Sequence, residues 1–413
     1  MRSARWIRLL WSLAGAALAL LVLRTFVADV YRVDSGSMRP TLFGGRARAD
    51  ESEDTERVLV LYGRDFEPQR FDLVVVRSPD GTKPLVKRVV GLPGDADLLL
   101  SGGDLFVDHA RLPADASRPA PIVVYDERCE DPARAFETSG PEVSRAQGQW
   151  VVHGGPQAPA GEVRYRLPLR DDYLDRRHRR VPGVVEVNDA RLELELALEA
   201  TTPGQELHLQ LVEQGDFFEA RLVLGTEGAG ELQLLRRNAR PGELPDLPPS
   251  RVQVLARGPV TLVAGRWVDL ALSNVDNHLR LHSTALGVEL RASYAENEPW
   301  PERLPPGVTS LDPRVRFGAR GGLVRFRAVR VLRDLYFTDD GTFAVPAGPD
   351  EPEGRAGRAP LSLGPDEYFL LGDNSAASTD SRHFGPRPAA DLIGRPLCVV
   401  WPEPRWLRPT APP

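Results

Sequence analysis

The first long apolar run, Leu9 to Leu23, carries no charge and is flanked by Arg2, Arg5 and Arg8 before it and by Arg24 after it. Its fifteen residues fall short of the roughly 20 that cross a bilayer as a helix. With Arg24 extending its guanidinium outward and Thr25-Phe26-Val27-Ala28 continuing the helix, the length suffices. A cleaved secretory signal has the same basic start and short apolar region. A serine-containing turn follows within about ten residues, which leaves a cleaved signal little spacer and favours a retained anchor. Arg2, Arg5 and Arg8 on one side balance Arg24, Arg32 and Arg39 on the other, so the positive-inside rule leaves the orientation open.

Beyond residue 30 the pattern changes to alternation. Phe71-Asp-Leu-Val-Val-Val-Arg and Leu85-Val86-Lys87-Arg88-Val89-Val90 predict two strands, joined through Ser78-Pro79-Asp80-Gly81 and closed by Gly91-Leu92-Pro93-Gly94-Asp95. A shorter pair, Asp97–Leu100 and Leu105–Val107, surrounds Ser101-Gly102-Gly103-Asp104. Residues 113 to about 160 are rich in Pro, Ala and charge with little periodicity, which predicts a linker or an irregular entry into a second unit. From 184 strict alternation returns in the segments that open at Arg191, Glu206, Ala220, Gly230, Trp267, His278 and Gly322. Half-buried strands at that spacing predict an antiparallel sandwich.

Composition sharpens this picture. A chain of 413 residues exceeds what one compact core organises, and 38 prolines with 37 glycines favour short strands and turns over long helices. The expected fold class is therefore mainly β. A net charge of −6 argues against a nucleic-acid partner, because neutralising phosphates takes a basic surface. Cys129 and Cys398 cannot build a disulfide framework and show no metal-ligand spacing with the seven histidines. Cys398, inside Leu397-Cys398-Val399-Val400-Trp401, reads as a buried strand residue. The 52 basic residues include only two lysines, Lys83 and Lys87. A lysine kept where arginine otherwise suffices calls for a chemical reason.

Three segments supply that reason. Asp34-Ser35-Gly36-Ser37-Met38-Arg39-Pro40-Thr41-Leu42 presents a serine beside a glycine, with a second hydroxyl two residues earlier. A serine needs a base to become a nucleophile, and none of the histidines stands in a triad motif. Lys87 is the candidate, since arginine does not release its proton whereas a desolvated lysine does. Leu85-Val86 and Val89-Val90 give it an apolar strand setting. Moving a lysine from about 10.4 to near 7 takes roughly 4 kcal/mol of differential interaction, within what burial imposes. Arg88 stays charged and points to the opposite strand face. The third segment, Gly372-Asp373-Asn374 through Ser378, Asp380, Ser381, Arg382 and Gly385, would pass for a polar loop on its own.

Taken in order, these segments resemble the motifs of type I signal peptidases, the Ser-Lys proteases that remove signal peptides. The serine box matches at Ser35-Gly36-Ser37-Met38 with Pro40-Thr41-Leu42, and the lysine box at Lys87-Arg88-Val89-Val90-Gly91-Leu92-Pro93-Gly94-Asp95. The C-terminal box matches at Gly372-Asp373-Asn374 with Ser378, Asp380, Ser381 and Arg382, and Phe71-Asp72-Leu73-Val74-Val75 resembles the box between. The resemblance implies Ser37 as nucleophile and Lys87 as base, with the Ser35 hydroxyl and the Ser37 amide as oxyanion hole. Ser378 would orient Lys87, Asp380 and Arg382 would form a supporting ion pair, and Arg88 and Asp373 carry over as further supports. No cofactor and no metal enter this chemistry. The family also implies a cytoplasmic N-terminus, a single inner-membrane span and an extracytoplasmic catalytic domain. The partners are then the signal peptides of exported preproteins, cut after small residues in Ala-x-Ala sites, and the lipid bilayer.

The resulting division is an N-terminus and anchor at 1–28, the catalytic β domain at 29–112 and 335–408, a linker at 113–183, an inserted sandwich at 184–334 and a tail at 409–413. Two local departures from the family pattern stand out. Ser375-Ala376-Ala377 follows Gly-Asp-Asn where the family often has Arg-Asp-Asn, and Asp34 replaces the usual proline. The insertion of about 220 residues is the larger departure. Gly265-Arg-Trp-Val-Asp-Leu-Ala-Leu with Asp276-Asn-His-Leu-Arg-Leu resembles concanavalin-like, jelly-roll-like sandwiches, from which neither sugar nor metal binding follows. Two other readings stand beside the peptidase. One is a self-cleaving Ser-Lys regulator, disfavoured by the anchor and by the lack of a DNA-binding motif. The other is a tethered binding protein whose sandwich takes a glycan or protein ligand while the protease fold is inert. Trp267, Trp300 and Phe317 read as sandwich core, His278 and His282 as decoration of one strand face, and Arg176-Arg177-His178-Arg179-Arg180 as a solvated loop.

Overall fold

The computed structural model describes residues 11, 14–15, 27–45, 55–63, 66–101, 103–112, 119–140, 142–155, 160–213, 216–238, 252–294, 314–338 and 361–407. The expected span Leu9–Leu23 thus lies outside the described residues apart from Trp11, Ala14 and Gly15. Among the described residues no helix is long and apolar enough to cross a membrane. The chain divides into two units, one made of 1–120 and 336–413 and the other of 121–335.

In the first unit, Leu73–Arg77 and Pro84–Gly91 pair antiparallel with Val74 opposite Lys87. The expected strand from Phe71 begins two residues late, because Phe71 takes a φ of 69° and turns the chain into the sheet. This hairpin joins an eight-stranded sheet in the order Ala28–Arg32, Arg57–Tyr62, Leu392–Trp401, Leu73–Arg77, Pro84–Gly91, Glu367–Leu371 and Arg387–Pro388, with Arg405–Trp406 beside Leu392–Trp401. Leu99–Ser101, Asp104–Val107 and Ala110–Arg111 form a separate three-stranded sheet. Val58, Val60, Leu73, Val75 and Val399 bury a core together with Met38 and Leu42. Cys398 lies in its strand as expected but is half-buried, and both cysteines are free thiols. Toward the Ala28–Arg32 end of the sheet, Val30, Leu61, Trp401 and Trp406 stay 45, 42, 61 and 73% exposed.

The second unit is two antiparallel sheets sharing one apolar core. One sheet centres on Ala190–Leu198 between Gly322–Arg333 and Val268–Val275, the other on Glu206–Glu213 between Asp216–Leu224 and Val315–Arg320. Alternation does the work along each strand: Leu192, Leu194 and Leu196 point inward while Arg191, Glu193 and Glu195 point outward. Phe317 meets Phe326 of the opposite sheet edge-on at 5.1 Å between ring centroids.

Residues 113–183, expected as a linker or an irregular entry to the insertion, belong from Pro121 onward to the second unit. Ile122–Asp126, Val143–Ala146 and Gln149–Gly154 extend the first of these sheets, and Phe136–Ser139 with Gly161–Tyr165 extend the second. Their inward residues include Val124, Tyr125, Phe136, Trp150, Val152, Val163 and Tyr165, but the strands are only four to six residues long and interrupted by polar turns, which hid the period. Trp267 is corrected as well. Val268, Leu270 and Leu272 face the core, so by alternation Trp267 faces outward, half-buried under the Arg327 guanidinium at 3.8 Å from its ring centroid. Trp300 lies outside the described residues. The basic run is partly paired: Arg180 bonds Asp172 and Arg179 bonds Asp175.

Phe317 is fully buried with aromatic contacts to Phe136 and Phe326. Phe317→Ala is expected to lower the unfolding free energy of the sandwich by about 3 to 5 kcal/mol, read as a drop in the urea midpoint of that unit; an unchanged midpoint would contradict the packing described.

Candidate active site

Gly36–Met38 forms a single 3-10 turn entered from an extended Ser35 and left through an extended Arg39. Met38 and Leu42 are buried in the core of the first unit, which pins the turn by its apolar side. The polar side carries the Ser35 and Ser37 hydroxyls, 3.1 Å apart. The C-terminal segment grips the same turn, since the Asn374 side-chain amide donates to the Gly36 carbonyl at 3.0 Å and its backbone N–H to the Ser37 carbonyl at 2.9 Å. Gly372 makes that approach feasible. A Cβ at this position would lie 2.6 Å from the Ser37 carbonyl oxygen and still closer to the Ser378 hydroxyl.

Lys87 reaches this turn from the Pro84–Gly91 strand. Its side chain is 2% exposed, and Nζ lies 3.0 Å from Ser37 Oγ and 2.9 Å from Ser378 Oγ. Burial lowers the lysine from 10.5 to about 8, against the upward pull of the Asp380 and Asp373 carboxylates and with help from the Arg382 guanidinium. The value sits somewhat above the near-7 expected from sequence because two carboxylates face the amine.

Each of those carboxylates is held by its own arginine. Arg88 Nε and Nη2 donate to the two oxygens of Asp373 at 2.7 and 2.6 Å, and Nη1 donates to the Phe71 carbonyl at 2.6 Å. Thr41 Oγ1 adds a short hydrogen bond to Asp373. Arg382 donates from Nε and Nη2 to the two oxygens of Asp380, both at 2.9 Å. The Gly372 N–H donates to Asp380 at 3.0 Å, and Ser378 donates its hydroxyl to the same carboxylate. Burial by itself would raise the Asp380 carboxyl; the Arg382 guanidinium and these donors hold it below its ordinary value. Asp380 also caps the short Ser381–Phe384 helix.

The structure therefore brings together Ser35, Ser37, Lys87, Arg88, Asp373, Ser378, Asp380 and Arg382 from three distant stretches of chain. It adds Thr41, Thr338, Asn374 and Ser375, which sequence reasoning did not single out. Asn374 stood next to Asp373 in a motif already quoted, whereas nothing in Leu335-Tyr336-Phe337-Thr338 marks its threonine. A serine hydroxyl, a desolvated amine beside it and two further hydroxyl neighbours are groups from which a Ser-Lys acyl-transfer site can be built.

Residues 4–151 and 347–401 match the signal peptidase family, peptidase S26. Signal peptidase I of Pseudomonas fluorescens is 31% identical over 178 residues, covering 40% of this chain and 60% of that protein. Signal peptidase I of Streptococcus pneumoniae serotype 4 is 37% identical over 86 residues, 21% of this chain and 36% of that one. Signal peptidase I P of Bacillus subtilis subsp. natto is 34% identical over 100 residues, 23% and 47% of the two chains. The chain thus spans less than two thirds of the length of each of these relatives. Among solved structures, a carbohydrate binding module from Bacillus subtilis aligns with 48% of this chain and 95% of its own at a TM-score of 0.31 and 6% identity, too distant to carry an argument.

A buried amine whose pKa falls from 10.5 to about 8 binds fewer protons folded than unfolded between those two values, so its contribution to stability rises with pH across that window. Lys87→Met is expected to be more stable than wild type at pH 7. Its advantage should shrink by about 3 kcal/mol between pH 8 and 10.5, measured by urea unfolding of both proteins. A difference that stays constant with pH would show that the amine is not desolvated.

Proposed function

We propose, for a chain that belongs to the signal peptidase family, peptidase S26, that it is a membrane-anchored serine endopeptidase cleaving signal peptides from exported preproteins after small residues. The observation that carries this reading is a buried lysine amine 3.0 Å from a serine hydroxyl.

In this mechanism neutral Lys87 takes the Ser37 proton as Oγ attacks the scissile carbonyl. The C–N bond then breaks, the lysinium returns the proton to the leaving amine, and Ser37 is left acylated. Water attacks the ester with Lys87 again receiving the proton, and the amine hands it back to Ser37 Oγ as the carboxylic product departs. The Ser35 hydroxyl and the Ser37 N–H serve as oxyanion donors, each worth about 3 to 4 kcal/mol in such sites. Ser378 orients Lys87, and the Arg88–Asp373 and Arg382–Asp380 pairs keep its surroundings fixed. With a pKa of about 8, roughly a tenth of the amines are neutral at pH 7, enough to sustain turnover that rises with pH up to that value.

The anchor reading puts the cytoplasmic N-terminus and the inner-membrane span before residue 27, with the catalytic unit outside; Val27 and Ala28, expected to continue the helix, instead form a turn and the start of the Ala28–Arg32 strand. It is supported by the uncharged Leu9–Leu23 run and by exposed Val30, Leu61, Trp401 and Trp406, an apolar and indole-rich edge suited to the headgroup boundary. An enzyme held there shares a two-dimensional compartment with its membrane-inserted substrates.

In a cleavage assay on a model preprotein with an Ala-x-Ala site, Ser37→Ala and Lys87→Arg are each expected to abolish processing, and Ser35→Ala to slow it by about 10²- to 10³-fold. Normal processing by Lys87→Arg would end the proposal, because a guanidinium cannot accept the proton.

A further inference from the structure

The chain leaves the sandwich after Leu335, and three residues later Thr338 is buried against the active-site loop. Its N–H donates to Ser375 Oγ at 2.9 Å and its hydroxyl lies 3.1 Å from the same oxygen. Its carbonyl accepts from Arg382 Nη1 at 3.1 Å, and its hydroxyl makes a further short hydrogen bond with that nitrogen. Arg382 Nη2 is held from the other side by the Ser375 carbonyl at 2.7 Å. Thr338 and Ser375 together therefore fix the guanidinium that grips both oxygens of Asp380, the carboxylate that receives the Ser378 hydroxyl. Ser378 is in turn 2.9 Å from Lys87 Nζ.

We propose that Thr338 is a positioning residue for Lys87, acting through Arg382, Asp380 and Ser378, so that the stretch of chain returning from the insertion completes the base's surroundings. Ser375 stands where the family resemblance leads one to expect an arginine, and Thr338 supplies the polar partner that this shorter side chain needs. The inference rests on the proposed Ser-Lys peptidase.

The charged groups facing Lys87 are Asp380 and Asp373, which favour its ammonium, and Arg382, which opposes it; Arg88 is committed to Asp373. Removing the Thr338 hydroxyl leaves a buried guanidinium short of one partner. Arg382 then relaxes toward other acceptors and neutralises Asp380 less completely. The amine feels more negative charge and holds its proton to higher pH.

The chain's two lysines make a direct measurement practical. Lysine labelled with carbon-13 at Cε gives two side-chain resonances, which Lys83→Arg assigns. In Thr338→Val the Lys87 midpoint is expected to rise by about one pH unit, with kcat at pH 7 falling by about tenfold and KM unchanged; Thr338→Ser should restore both. Ser375→Ala, which removes the other hydroxyl of the pair, is expected to move the midpoint the same way by less, and it decides the matter should Thr338→Val fail to fold. A Lys87 midpoint unmoved in the folded variants overturns the proposal, as does an equal loss in Thr338→Ser. If wild type shows no Ser37-dependent cleavage yet the midpoint moves, the peptidase reading fails and the positioning role stands.

Discussion

Keeping a lysine amine out of water costs several kcal/mol when it is charged, and the first unit is arranged around that cost. The strand carrying Lys87 lies inside the sheet, between Leu73–Arg77 and Glu367–Leu371, and the side chain itself is buried. Two serine hydroxyls give it hydrogen bonds without giving it charge. The loss of hydration is thus met by neutral partners, which favours the uncharged form that can accept a proton.

The two carboxylates nearby would undo this if left free, since each pulls the amine toward its protonated state. Both are occupied. Asp373 is saturated by Arg88 and Thr41, and Asp380 by Arg382, the Gly372 N–H and Ser378. Bidentate arginine suits this task, because its planar fork holds a carboxylate in one geometry and never gives up its proton. Elsewhere the same residue serves exposed pairs such as Arg325–Glu199 and Arg291–Glu289 on the sandwich, where ion pairs contribute little. One residue type therefore covers the surface and the buried supports, and Lys87 is one of the two lysines that remain.

The parts of the molecule that repeat were legible in the sequence. The Leu73–Arg77 hairpin with Pro84–Gly91 and the strands at 190–198, 206–213 and 322–333 follow period-two patterns that burial on one face imposes. Ser37 and Lys87 were legible because each is a chemical exception, a serine beside glycine and one of only two lysines among many arginines. What escaped depended on tertiary contact. The strands between 122 and 165 are four to six residues long and mix valines such as Val124, Val152 and Val163 with aromatic residues inward, each too short for a period to emerge. The outward direction of Trp267 is fixed by the register of Val268, not by its size. Thr338 is ordinary in its local sequence, and only the return of the chain against Ser375 and Arg382 makes it part of the site.

One feature of the first sheet has a bearing on how the chain comes to life. Arg57–Tyr62 and Leu73–Arg77 do not pair with each other; Leu392–Trp401 lies between them and bonds to both. Met38 of the turn bearing Ser37 shares a core with Val58 and Val60 of one half, Leu73 and Val75 of the other and Val399 of the strand between, while Lys87 belongs to the later half. Among the described residues the strands of the sandwich come from 122 to 333, all of them made before Leu392–Trp401. The strand that bonds to both halves of the first sheet is thus among the last parts of the chain to be made, and that sheet can close only after the residues of the sandwich have been synthesised.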